Sequence, residues 1–336
     1  MANKKIDKNW HIFKGQGKSK KKDELKFPPA PPWRQAKSKI ANKYIIDKDS
    51  EELDIVNAGI YLKRPILITG NPGIGKSSLA YAIAEELGLE LVKWEITTKT
   101  TLKDGLYSYD AIARLQDISL QSKDNCKKKT KINDYLFLGA LGYAFDNPIE
   151  GSKPKVLLID EIDKSDIDLP NDLLHIFEDM EFLIPELERA DKKGKGIEIF
   201  PMHKKESQKG IARKIENGKV FCLPDNFPII LMTSNDEREF PPAFLRRCIR
   251  LDMIAPSEKR LRDIVKSYYK EYFKNISASE EKTMEEIVNK FWTKNDGKYT
   301  LSTDQLLNAM QLLFKDKINI LEDKKLMDNI FRSLVD

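Results

Sequence analysis

Gly70-Asn71-Pro72-Gly73-Ile74-Gly75-Lys76-Ser77 spaces one glycine, four residues and Gly-Lys-Ser in the manner of a phosphate-holding loop. Glycines let the backbone bend until successive amides face phosphate oxygens. Lys76 suits the β and γ phosphates and Ser77 suits a Mg²⁺ ion, with Ser78 counted in the same binding stretch. About 80 residues on, Val156-Leu-Leu-Ile ends in Asp160 and Glu161. Carboxylates at the end of an apolar parallel strand stand where such sheets bind ligands. Asp160 suits the Mg²⁺ shell, and Glu161 suits the group that orients or deprotonates an attacking water. Asp163, Asp166 and Asp168 read as solvated residues or as caps for a helix over 171–180.

These residues need a scaffold that holds strand ends side by side. Five short apolar, β-branched runs supply one: Ile66–Thr69, Leu91–Ile96, Val156–Ile159, Ile229–Thr233 and Ile249–Met253. Helical patterns lie between them, which predicts a parallel sheet covered on both faces. The phosphate loop then follows the first strand and opens a helix over Ser77–Leu87, ended by Gly88. After Pro256 the periodicity becomes helical throughout. Ser257 caps a helix to Tyr272, Glu280–Trp292 forms a second, Ser302-Thr-Asp-Gln305 opens a third to Phe314, and 323–334 a fourth. The expected division is a basic, proline-rich arm over 1–40, an α/β domain over 41–255 and a small helical domain over 256–336.

Two stretches interrupt the α/β part. Lys123–Lys131 is lysine-rich, and Asp191–Gly218 is rich in Lys and Gly, flanked by Glu181–Ile184 and Val220–Leu223. Both read as solvated loops by default, with an inserted hairpin as the alternative for the second.

Composition narrows the classes. The chain has 336 residues, 40% of them hydrophobic and 33% charged, enough apolar material for a large core. No run approaches the ~18–20 apolar residues of a membrane-spanning helix. Basic residues at the N-terminus are not followed by an apolar segment, so no secretory signal is expected. Three scattered cysteines (Cys126, Cys222, Cys248) argue for a reducing, cytoplasmic setting, and no His/Cys spacing fits zinc. The net charge of +5 is uneven: residues 1–40 hold twelve Lys/Arg and three Asp/Glu, so the other 296 residues carry −4. The arm also holds Trp10, Phe13 and Phe27-Pro-Pro-Ala-Pro-Pro-Trp33, which suits a strap packed on a folded body.

Together the motifs resemble those of AAA+ P-loop ATPases, and within them the MoxR branch, over residues 44–320. The first loop is similar to Walker A and Val156–Glu161 to Walker B. Ile229–Asn235 resembles the strand that ends in sensor 1, which makes Asn235 a partner of Glu161 in placing water. The box from Glu239 to Cys248 resembles the one that supplies an arginine to the neighbouring subunit's γ-phosphate. Arg246 or Arg247 fills that role, with Arg247 preferred and the other left to a structural ion pair. Such a trans arginine is worth ~10³–10⁵ in rate. The family often has a further arginine, sensor 2, at the start of the third lid helix. Leu301-Ser-Thr-Asp-Gln305 has none, and Lys298 precedes the helix.

The resemblance implies an α/β fold with a five-stranded parallel sheet plus a C-terminal all-α lid, ATP and Mg²⁺ as ligands, and a hexameric homo-oligomeric ring. It places Thr97–Tyr109 at the ring's pore, where Leu102, Leu106, Tyr107 and Tyr109 either grip a threaded peptide or pack in the core. It also implies a protein client, such as the von Willebrand A-type partners with which MoxR relatives act, including those of bacterial conflict systems. Two other functions fit the sequence: a nucleic-acid-associated motor or loader using the lysine-rich segments, and a nucleotide-gated switch with little turnover. The acidic body and the lack of a base-reading motif disfavour the first.

Overall fold

A computed structural model describes residue 12, 30–31, 44–46, 50–124, 130–201, 212–295, 301–314, 318 and 320–333. Most of the arm, part of the 123–131 loop and Lys298 lie outside these residues.

In chain order the elements are α1 (Glu51–Leu62), β1 (Ile66–Thr69), α2 (Lys76–Leu87), β2 (Leu91–Glu95), α3 (Leu102–Leu106), β3 (Tyr107–Tyr109), α4 (Ala111–Asp124), β4 (Leu136–Leu138), α5 (Ala140–Phe145), β5 (Val156–Asp160), α6 (Leu169–Asp179), β6 (Glu181–Leu183) and α7 (Pro185–Ala190). Then follow β7 (Ile197–Pro201), β8 (Arg213–Ile215), β9 (Lys219–Phe221), β10 (Ile229–Thr233), α8 (Pro242–Leu245) and β11 (Ile249–Asp252). The remaining helices are α9 (Glu258–Tyr268), α10 (Lys270–Phe273), α11 (Ala278–Lys294), α12 (Thr303–Phe314) and α13 (Lys324–Ile330).

All five apolar runs enter one parallel sheet, ordered β11-β1-β10-β5-β2. Its inner strands read as unbroken apolar segments because both faces are covered, and Ile66–Ile68, Val156–Ile159 and Leu231–Met232 are fully buried. The described residues form an α/β body with a parallel sheet, followed by a C-terminal helical region.

A second sheet, β3-β4-β7-β8, draws two strands from either side of 123–131 and two from within 191–218. The 191–218 segment is not simply a solvated loop: it takes the hairpin alternative, with β7 and β8 paired antiparallel from Ile197↔Ile215, and β6 pairs with β9. β4 runs parallel to β7 and antiparallel to β3. Of the two readings for Leu106 and Tyr107, the structure takes the core one: both are buried, and the Tyr107 hydroxyl donates to Glu186 Oε2 at 2.9 Å. Burial first, then that contact, pushes the Tyr107 pKa up to about 12.

Packing divides the chain into two units. One comprises Ile46–Gly70 and Ile83–Asp252, and the other includes Asn71–Ala82 and Met253–Asp336. Within the second, α9 starts at a Ser257 cap that accepts the Arg260 amide, and α11 at a Ser277–Glu280 capping box. α9 ends at Tyr268, earlier than the periodicity predicts, and α10 is a separate turn. Phe314 anchors this helical core, stacked on Tyr272 at 4.5 Å and edge-on to Tyr269 at 5.0 Å.

Candidate functional site

The phosphate loop has the backbone its glycines predict. Gly70, Gly73 and Gly75 all take positive φ, at 135°, 76° and 105°. Gly73 has a second reason to lack a side chain: an added Cβ would lie 2.2 Å from Ser302 Cβ. The Thr303 amide donates to the Gly73 carbonyl at 3.2 Å, so the start of α12 rests against the loop. Lys76 is buried at 7% exposure, and its Nζ donates to the Asn71 carbonyl at 2.9 Å, tying the two ends of the loop. Ile74 is buried, Asn71 and Pro72 are exposed, and Ser77 and Ser78 are half-buried in the first turn of α2. A bent glycine backbone, a helix N-terminus and an ammonium at its base form a donor set suited to nucleotide phosphates.

The acidic residues stand at the C-terminal edge of the five-stranded sheet. The Thr233 hydroxyl, at the end of β10, donates to Asp160 Oδ1 at 2.8 Å and accepts the Glu161 amide at 2.9 Å. One buried hydroxyl therefore fixes both acids. The Asp160 Oδ2 atom faces the Lys93 ammonium at 2.8 Å. Carboxylate oxygens are donors of the kind a hard divalent ion takes. Glu161 adopts left-handed backbone, φ 62° and ψ 51°, a conformation that costs a non-glycine residue and gathers at functional sites. Its side chain pairs with Lys164 at 2.7 Å, and that contact is the first cause of a raised Lys164 pKa.

Asn235 follows two residues after β10, half-buried. Its amide donates to Asp163 Oδ2 at 2.7 Å, and the same oxygen receives the Glu237 amide at 3.4 Å. Asp163 is thus not a solvated loop acid: it is 4% exposed and shapes the turn that carries Asn235. Burial could not be read from its sequence position, because Asp166 and Asp168 of the same acidic stretch are exposed. Asp168 does occupy the cap position of α6, without a side-chain cap bond. Arg238 reaches back to Ser165 Oγ at 3.0 Å and the Asp166 carbonyl at 2.9 Å, fastening the Asn235 turn to the loop after β5.

The two arginines of the α8 box differ. Arg247 forms an ion pair with Glu178 of α6 and donates to the Ala243 carbonyl at 3.3 Å. Arg246 is exposed, and its guanidinium has no ion pair or hydrogen bond among the described residues. The structural ion pair therefore falls to Arg247.

Residues 66–259, from β1 into α9, match the profile of the AAA family, the ATPase family associated with various cellular activities. The chain belongs to this ATPase family. Proteins of the AAA family bind nucleotide and typically assemble into oligomers. Midasin of Giardia intestinalis is 37% identical over 88 residues, covering 24% of this chain and 2% of midasin, so the chain spans only a small part of that relative. Among solved structures, the RuvB Holliday junction branch migration motor of Thermotoga maritima matches with TM-score 0.41 and 14% identity, over 87% of this chain and 72% of that one. NtrX from Brucella abortus, in complex with ADP, matches with TM-score 0.42 and 12% identity, over 88% of this chain and 56% of that one. No helix among the described residues is long and apolar enough to cross a membrane.

Proposed function

We propose that this AAA ATPase is of the MoxR type and couples Mg–ATP hydrolysis to remodelling or activation of a partner protein. The observation that carries the hydrolytic part is Thr233, whose hydroxyl binds the Asp160 carboxylate and the Glu161 amide together. Gly70, Asn71, Pro72, Gly73, Ile74, Gly75, Lys76, Ser77 and Ser78 form the phosphate-holding segment, with Lys76 on the β and γ phosphates. Ser77 and Asp160 hold Mg²⁺, which when bound supplies charge neutralisation at the phosphates. Glu161 takes the proton of the attacking water and Asn235 aligns that water. With Arg247 committed to Glu178, Arg246 is the arginine offered to a neighbouring subunit's γ-phosphate.

That assignment makes each site depend on a second copy, hence a homo-oligomer, a hexameric ring in the resemblance. The client is a protein, with a von Willebrand A-type partner as the first candidate. The setting proposed is cytoplasmic, in keeping with the scattered cysteines.

The test uses two inactive variants, Glu161→Gln and Arg246→Ala. Each alone binds ATP and does not hydrolyse it. Mixed oligomers regain hydrolysis, because an Arg246→Ala subunit keeps its Glu161 and borrows Arg246 from its neighbour. A mixture that stays inactive while assembled contradicts the trans role. Hydrolysis that responds to DNA and not to a protein partner favours the nucleic-acid motor instead.

A further inference from the structure

The two oxygens of the Asp160 carboxylate are held by unlike partners. Oδ1 takes a hydrogen bond from Thr233, a β-branched side chain 1% exposed and fixed within a central strand. Oδ2 takes the Lys93 ammonium at 2.8 Å, and the same ammonium lies 2.9 Å from Glu95 Oε1. Residues two apart on a strand share a face, so Lys93 and Glu95 lie on one side of β2, with Glu95 registered opposite Asp160. Exposure rises along this row: 14% for the Asp160 side chain, 26% for Lys93 and 73% for Glu95. An ammonium on a flexible four-carbon stem thus stands between a sheltered carboxylate and a solvated one.

A second cation brought to Asp160 Oδ2 would face the ammonium at contact distance, where like charges repel strongly. Glu95 offers the ammonium a place to remain. We propose that Lys93 is a positioning residue, a built-in counter-ion that keeps Asp160 paired without metal and shifts onto Glu95 when a divalent cation takes the carboxylate. This rests on the reading of Asp160 as a Mg²⁺ ligand.

Two substitutions should move metal affinity in opposite directions. Lys93→Met removes the competing charge at nearly constant length. Glu95→Gln removes the receiver, at an exposed position that leaves the fold intact. The measurement is calorimetric titration of magnesium chloride into the full chain saturated with ADP, beside ADP binding in EDTA. Lys93→Met is expected to tighten Mg²⁺ about three- to ten-fold and Glu95→Gln to weaken it about two- to three-fold, as for a part-buried ion pair. ADP affinity in EDTA stays within about two-fold in both, since neither residue is proposed to touch the nucleotide.

Unchanged or weakened Mg²⁺ binding in Lys93→Met, or tightened binding in Glu95→Gln, overturns the inference. A purely structural role would lower the melting temperature of Lys93→Met and leave Mg²⁺ affinity alone, which also overturns it. Ser77→Ala and Asp160→Asn separate the two levels. If they abolish Mg²⁺ uptake while Lys93→Met leaves it unchanged, only the counter-ion role fails. If they too leave it unchanged, the metal reading fails and the counter-ion role with it.

Discussion

The five-stranded sheet and the four-stranded sheet are built by different rules. The first is parallel throughout, its strands four or five residues long and its inner strands apolar on both faces. The polar ends of inner strands β5 and β10 lie at the C-terminal edge, at Asp160 and Thr233, with Glu161 and Asn235 just beyond. The second mixes parallel and antiparallel pairs, uses strands of three to five residues, and joins β4 to β7 across some sixty residues of sequence. It is tied down by polar contacts. Arg213 of β8 pairs with Asp146 at the end of α5 at 3.1 Å, and Asp191 gathers the amides of Lys195, Gly196 and Asn217 at 2.8–3.1 Å. Apolar burial fixes the inner strands of the first sheet, whereas the second sends Leu136, Leu138, Ile199 and Ile215 into the same core and adds charged contacts at its margin.

That contrast can be broken at several points. Leu158→Ala opens a cavity in a fully buried central strand and should cost about 2–5 kcal/mol, with nucleotide binding and global stability lost together on denaturant titration. Loss of binding without loss of stability would contradict the shared scaffold. Arg213→Ala leaves the Asp146 carboxylate, whose pKa burial already raises, without its ion pair. About 1–2 kcal/mol of local stability should go, because Arg213 is itself one-third exposed. Hydrogen exchange should quicken in β7 and β8 and not in β5 or β10.

Asp191 gives a pH test. Its pKa is lowered, first by the Asn217 amide, so its contribution is present above the ordinary carboxylate value of about 4 and is lost as pH falls below it. Exchange around 195–219, corrected for intrinsic rates, should accelerate below about pH 4 in the native chain, and should not change with pH in Asp191→Asn. The smallest effect belongs to Arg247→Ala, an exposed pair worth at most about 1 kcal/mol. Its hydrolysis should stay near that of the unsubstituted protein, unlike Arg246→Ala.

The central sheet was legible because a strand buried on both faces is a run of apolar residues, and Ile66–Thr69 and Ile229–Thr233 have the expected ends. Leu91–Ile96 and Ile249–Met253 each end one residue sooner. The phosphate loop was legible because its glycines answer to backbone angles. Less was readable where function depends on a partner distant in sequence. The left-handed backbone of Glu161, the burial of Asp163 and the Lys93–Asp160 pair leave no local pattern. The sequence leaves Tyr107 open between an exposed grip and the core, and its bond to Glu186 of α7 comes from a residue distant in sequence. The strands of the second sheet are too short for period-two alternation to register. Asp163 and Thr233 take their roles from each other's loops, which only the parallel register brings together.

The central claim is that Glu161 activates water at a nucleotide held by other residues. The direct measurement is ATP binding and hydrolysis by Glu161→Gln at matched concentration and assembly. Binding within about three-fold of the unsubstituted protein, with hydrolysis lower by about 10²–10⁴, is the expected result. Hydrolysis that survives the substitution would contradict the account.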